Sequence, residues 1–176
     1  MSLPHALLTA LVERPASGSD LATRFDRSIG YFWAASHQQI YRELARLEAD
    51  GLIEALPEQG GRGRKRAYQI LPAGRAELER WVGEGDAASP LRDELMVRLW
   101  AEAAIGPSGL IEVVRRRKVR HEEKLAQYHR FMARDYPTTP GDRGTALRRL
   151  VLQAGIDHER FWVDWLIQAE AVLTQS

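Results

Sequence analysis

Apolar residues in the first half of the chain recur every three or four positions, switch briefly to alternation, and then return to helical spacing. Leu7, Leu8, Leu11 and Val12 give the apolar side of a helix over 3–13 that Pro15 ends. A second helix starts near Ser17 or Ser19, passes Leu21, Ala22 and Phe25, and fades by Gly30. After the apolar segment Tyr31-Phe32-Trp33-Ala34-Ala35 comes a third, with both ends written in the sequence. Ser36 followed by Gln39 is a capping box, and Gly51 suits a left-handed exit. At about 100° per residue, Ile40, Leu44 and Leu47 form one stripe, while Gln38, Arg42, Ala45 and Ala49 point the other way, flanked by Gln39 and Arg46. Short strands are expected over 52–56 and 67–71, joined across Gly60-Gly61-Arg62-Gly63-Arg64-Lys65-Arg66. Pro72 can occupy the first turn of a fourth helix through Trp81 and Val82.

Residues 83–90 read as a linker by composition, which divides the chain into an N-terminal domain over 1–82 and a C-terminal one over 91–176. The second domain holds a helix over 91–104 with Leu95, Met96, Leu99 and Trp100 on its apolar side, a break at Gly106-Pro107-Ser108, and a long helix over 109–134. A last helix over 142–173 carries Leu147, Val151, Ala154, Phe161, Trp165 and Val172 at coiled-coil-like spacing. Three helices cover their own stripes poorly, so the pattern calls for a homodimer through Val151, Ala154, His158, Phe161 and Trp165. The fold class is mainly α with a small β-hairpin: an N-terminal winged helix-turn-helix plus a C-terminal helical dimerisation domain.

The chemistry concentrates between Ser36 and Arg66. A carboxamide can donate to and accept from adenine, and a guanidinium can fork onto guanine or grip a phosphate. Ser36, His37, Gln38, Gln39, Tyr41, Arg42 and Arg46 are the candidate DNA contacts from the helix, and Arg62, Arg64, Lys65 and Arg66 from the glycine-rich tip, which suits a phosphate backbone or minor groove. Tyr41 sits at the edge of the buried face, where a core tyrosine and a phosphate-contacting hydroxyl are both open readings.

Composition sets the limits. The 176 residues, 44% hydrophobic and 28% charged, suit a globular protein, and zero cysteines exclude a disulfide framework and thiolate metal sites. No apolar run reaches the ~18 residues of a membrane span and the start lacks a basic secretory signal, so a cytoplasmic protein is expected. The net charge of +1 is not that of a uniformly basic nucleic-acid binder, and DNA affinity must come from the local arginine patch. His121-Glu122-Glu123-Lys124-Leu125 lacks the second histidine of a zincin helix, and no nucleophile elbow or phosphate-binding loop occurs. No cofactor, metal site or catalytic residue is expected.

Ile40-Tyr41-Arg42-Glu43-Leu44-Ala45-Arg46-Leu47-Glu48-Ala49-Asp50-Gly51-Leu52 resembles the I-Y-x-x-L-x-x-L-E-x-x-G-L motif of the PadR family of transcriptional regulators, and Gly63-Arg64-Lys65-Arg66-Ala67-Tyr68 supports it in the wing. Pro15-Ala16-Ser17-Gly18-Ser19-Asp20-Leu21 is similar to the family's P-x-x-G-Y-x-L, with Ser19 in place of tyrosine, and Pro72-Ala73-Gly74 departs from its T-x-x-G. The second domain resembles the branch with a virulence-activator-like C-terminal region. The resemblance implies a dimeric DNA-binding repressor, acting by promoter occlusion on a two-fold-related operator in double-stranded DNA, and a small aromatic effector. Trp33, Trp100 and Trp165 are the candidate effector contacts, against an ordinary core role for each tryptophan. The alternative is a winged-helix adaptor that docks a protein and never touches DNA.

Two further features have bland readings. Arg115-Arg116-Arg117-Lys118-Val119-Arg120 wraps a helix and reads as a solvated surface, with Lys118 placed to pair with Glu122. His121 and His158 fall on apolar stripes, as hydrogen-bonded core or interface histidines do more often than titrating switches.

Overall fold

The stripes of the N-terminal half close on one another. The computed structural model describes residues 3–27, 35–57, 66–85, 93–138 and 141–175. The chain divides into two units, Met1–Ala88 and Ser89–Ser176. In the first, α1 (Leu3–Glu13), α2 (Gly18–Arg27) and α3 (His37–Ala49) bury Leu7, Leu8, Leu11, Leu21, Ile40, Leu44 and Leu47 together. Each such side chain contributes about 1.5–3 kcal/mol over its exposed state, so the stripes alone fix which face of α3 is outward. Strands β2 (Ile53–Ala55) and β3 (Ala67–Ile70) pair antiparallel, with Ile53 opposite Ile70 and Ala55 opposite Tyr68.

The hairpin is accompanied by a third strand that periodicity does not reveal. Strand β1 (Ala16–Ser17) pairs with β3, giving the order β1-β3-β2. Two residues are too few to show alternation. Ser17 also starts α2: its Oγ donates to Asp20 Oδ2 at 2.7 Å and accepts from the Asp20 amide at 3.1 Å. Helix α4 (Pro72–Val82) begins with its proline in the first turn and settles on the β2 end. There Gly74 is needed for space, because a Cβ would lie 2.3 Å from the Leu52 carbonyl oxygen. At the other end of α4 the His5 ring stacks on Trp81, centroids 4.3 Å apart, and His5 Nε2 meets Glu77 Oε1 at 3.1 Å. Hydrogen bonds from Arg80 and then from His5 pull the Glu77 carboxyl down to about 2.

The second unit contains α5 (Glu94–Ile105), α6 (Leu110–Asp135) and α7 (Arg143–Leu173). Helix α5 starts at Asp93, whose carboxylate accepts from the Leu95 amide at 2.9 Å, and Asp142 caps α7 in the same manner through Thr145. Helices α6 and α7 run antiparallel, since Lys118 meets Glu170 while His121 and Lys124 meet Glu159. The core holds Leu95, Leu110, Val114, Trp162 and Leu166, with Met96, Leu99 and Trp165 packed on it.

Three sequence readings are corrected here. Lys118 pairs with Glu170 across the helix pair and not with Glu122, because it lies half-buried between α6 and α7, where the cross-helix carboxylate is nearer. Trp100 does not join the apolar side of α5: it is 83% exposed, one position past the Leu95–Leu99 stripe. His158 is exposed, touching Trp162 edge-on, and is no core histidine of its own unit, whereas His121 lies between α6 and α7. Helix α7 carries two stripes. Leu152, Ile156, Glu159, Trp162 and Leu166 are buried within the unit, while Leu147, Val151, Phe161 and Val172 are outward.

Candidate nucleic-acid interface

Helix α3 is held at both ends by its own sequence. The Gln39 amide donates to Ser36 Oγ at 3.3 Å and the Ser36 amide donates to Gln39 Oε1 at 2.8 Å, closing the capping box. At the far end Gly51 takes φ +69°, and the Leu52 amide reaches back to the Leu47 carbonyl at 2.9 Å. The helix is thereby fixed from its first turn, where candidate base-reading side chains sit. Ser36, His37, Gln38, Gln39, Tyr41, Arg42 and Arg46 are all exposed, on the side away from Ile40, Leu44 and Leu47.

The exposed cations are not equivalent. Arg42 is exposed and has no ion-pair partner among the described residues. Arg46 lies between Glu43 at 3.4 Å and Asp50 at 3.7 Å, a balance that weakens its local field. Arg66, at the foot of the wing, reaches Glu48 of α3 at 2.6 Å and lies over the Tyr68 ring at 5.5 Å. That bridge ties the residue just before β3 to α3. Arg62, Arg64, Lys65 and Trp33 lie outside the described residues.

A second cluster, in the helical unit, was not visible in the sequence. Glu159 is 2% exposed, with Oε2 at 2.5 Å from His121 Nδ1 and Oε1 at 3.1 Å from Lys124 Nζ. Burial disfavours the Lys124 ammonium, but the hydrogen bond and charge of Glu159 outweigh this and hold it above the ordinary lysine range. One turn earlier on α6, Arg117 donates to both Asp93 oxygens at 2.8 and 2.5 Å and covers the Trp162 ring at 4.4 Å. The Arg117 hydrogen bonds keep the Asp93 carboxyl below its usual range despite partial burial. The cap of α5, the middle of α6 and the core tryptophan of α7 are therefore one polar assembly.

Of the other tryptophans, Trp165 meets Trp162 edge-on at 5.5 Å, and Trp100 stands in solvent on α5. A groove between α5 and the start of α6, bounded by Ala101, Ile105, Leu110 and Val113, includes neither. Val151, Ala154, His158 and Phe161 are exposed on α7, with Trp165 half-buried at the edge of that face. Among the described residues no helix is long and apolar enough to cross a membrane.

Residues 7–80 match the model of the transcriptional regulator PadR-like family, and residues 91–174 match that of the virulence activator alpha C-terminal region. The probable transcriptional regulator Rv1176c of Mycobacterium tuberculosis is 38% identical, with 100% of each chain covered. The solved structure of the Vibrio cholerae virulence activator AphA is 33% identical, covers 98% of each chain and superimposes with a TM-score of 0.82. Bacillus subtilis PadR bound to operator DNA, 24% identical over 97% of each chain, superimposes with a TM-score of 0.82. PadR has also been solved with p-coumaric acid, at 23% identity over 99% of this chain and 100% of that one, with a TM-score of 0.79.

Proposed function

Because the chain belongs to the PadR-like family of transcriptional regulators, we propose that it binds double-stranded DNA sequence-specifically in the cytoplasm, as a homodimer on a two-fold-related operator, and represses by occluding a promoter. The observation that carries this reading is the division of α3: three fully buried aliphatic side chains on one side, and Gln38 and Arg42 exposed on the other with no described acid paired to Arg42. Gln38 and Arg42 read base edges in the major groove, while Arg62, Arg64 and Lys65 anchor to phosphates and Arg66 ties the start of β3 to α3. The chemistry is recognition, with no catalytic step.

Dimerisation uses the outer stripe of α7. Val151, Ala154, His158, Phe161 and Trp165 keep the spacing of a helix seam; the first four are exposed, and Trp165 lies at the edge, partly packed on the core of its own unit. Two copies place their α3 helices in successive major grooves ~34 Å apart. A small aromatic effector, of the kind seen with PadR, releases DNA by favouring a different spacing of the two helices, with Trp100 and Trp165 as its candidate contacts in the helical unit.

The test separates readout from anchoring. On a duplex enriched by the wild-type chain, Gln38→Ala and Arg42→Ala lose about 1–3 kcal/mol and lose much less on unrelated DNA, whereas Arg64→Ala weakens both alike and lowers the salt slope. Equal losses on every duplex for all three variants, or a footprint without two-fold symmetry, would overturn the proposal. No enrichment of any duplex would favour a protein-docking adaptor.

A further inference from the structure

Gly18 opens α2 and is buried, yet its backbone does not require a glycine: the described positions with positive φ are Gly51, Gly106 and Gly109. Glycine is also a poorer helix residue than alanine. What the site does require is space. A Cβ on Gly18 would lie 2.3 Å from Tyr41 Cε1, 2.9 Å from Cδ1 and 3.1 Å from Cζ. The Tyr41 ring is laid directly on the backbone of the first turn of α2. Even so, the residue is 49% exposed, so the ring is seated on one side and open to solvent on the other. It sits on α3 next to Arg42 and one turn after Gln38, at the border of the outward side.

An exposed tyrosine with nothing beneath it samples several rotamers. Seated on Gly18, it presents its hydroxyl in one direction before any partner arrives, which removes an ordering cost from binding. We propose that Gly18 is a positioning residue for DNA recognition: its missing side chain is the seat that holds the Tyr41 ring and aims the phenolic hydroxyl at a backbone phosphate. This rests on the DNA-binding reading above. It also makes an unusual demand on Gly18→Ala. The atoms in the way belong to the end of a side chain that can swing into solvent, so the fold adjusts without moving backbone, and only the ring loses its place. Stability stays and affinity falls.

The experiment uses the full-length chain and a duplex that wild type enriches from a randomised pool. Affinity and melting temperature are measured for wild type, Tyr41→Phe, Gly18→Ala and Gly18→Ala/Tyr41→Phe. Loss of one hydroxyl contact corresponds to about a 3- to 10-fold weaker complex. Gly18→Ala is expected to lose at least as much with its melting temperature within about 3 °C of wild type. The double variant is expected to bind no worse than Gly18→Ala alone. Wild-type affinity in Gly18→Ala, or single losses that multiply in the double variant, overturns the inference while leaving DNA binding intact. A wild-type chain that enriches no duplex sinks both. Should Gly18→Ala melt early, Gly18→Ala/Tyr41→Ala, which lacks the ring, must recover the melting temperature of Tyr41→Ala; failure to recover it also overturns the inference.

Discussion

Glu159→Ala is the sharpest probe of the helical unit. The native carboxylate is 2% exposed and divides its oxygens between His121 and Lys124. Removing one partner of a buried ion pair costs about 3–5 kcal/mol when the other charge is left stranded. Here the stranding is incomplete: the Lys124 side chain is 44% exposed and can turn to water. The cost therefore falls at or just below the bottom of that range, about 2–3 kcal/mol. For a chain in the 150–250-residue range each kcal/mol moves the melting temperature by about 2–4 °C, so the expected drop is roughly 4–12 °C. Calorimetry or far-ultraviolet circular dichroism at pH 7 reads it, at one fixed chain concentration because association adds its own free energy. The double variant Glu159→Met/Lys124→Met, which removes both charges and keeps the volume, should recover most of the loss. A change below about 0.5 kcal/mol in Glu159→Ala, the range of ordinary surface substitutions, would refute the reasoning.

Two further outcomes follow from the first unit. The Glu77 carboxyl sits at about 2 in the folded protein against an ordinary 4.5, so its contribution to stability is complete above about 4.5 and is lost as pH falls toward 2. Melting curves of wild type should therefore drop across that window, and Glu77→Gln should begin lower at neutral pH and fall less steeply. Gly74→Ala should cost about 1–3 kcal/mol of unfolding free energy, read by denaturant titration, since its new methyl meets the Leu52 backbone carbonyl, which cannot swing aside as the Tyr41 ring can. A neutral Gly74→Ala would show that the packing of α4 against the backbone just before β2 yields easily.

Local signals were legible and cross-chain ones were not. The Ser36/Gln39 box, Gly51, Pro72 and Asp142 each act within a few residues of themselves, and the helix ends they mark stand where they should. The stripe Ile40, Leu44 and Leu47 equally identified the buried side of α3. Strand β1 escaped because two residues have no period. Glu159 escaped for a different reason: a carboxylate reads as surface until its partners are known, and His121 is 38 positions away on another helix. Its position three residues before Trp162 and three after Ile156, in a row that proved to be buried, was the available hint. Trp100 shows the converse, an indole one step off its helix's buried stripe and consequently in solvent. Gly18 could be read as a helix start but not as a seat, since nothing in its neighbourhood names Tyr41.

The Glu48–Arg66 bridge bears on how salt titrations of this protein are to be interpreted. The slope of log affinity against log salt counts phosphates neutralised through released counterions, at about 0.9 per contact on B-form DNA. An arginine that arrives at the duplex already tethered to a carboxylate carries little net charge into the ion atmosphere, so it displaces few counterions even while it touches the backbone. Tallying the basic side chains of helix and wing will overstate the slope. Glu48→Gln reverses this, making the same arginine a full cation: the slope steepens although no new contact is made, and binding gains most in dilute buffer.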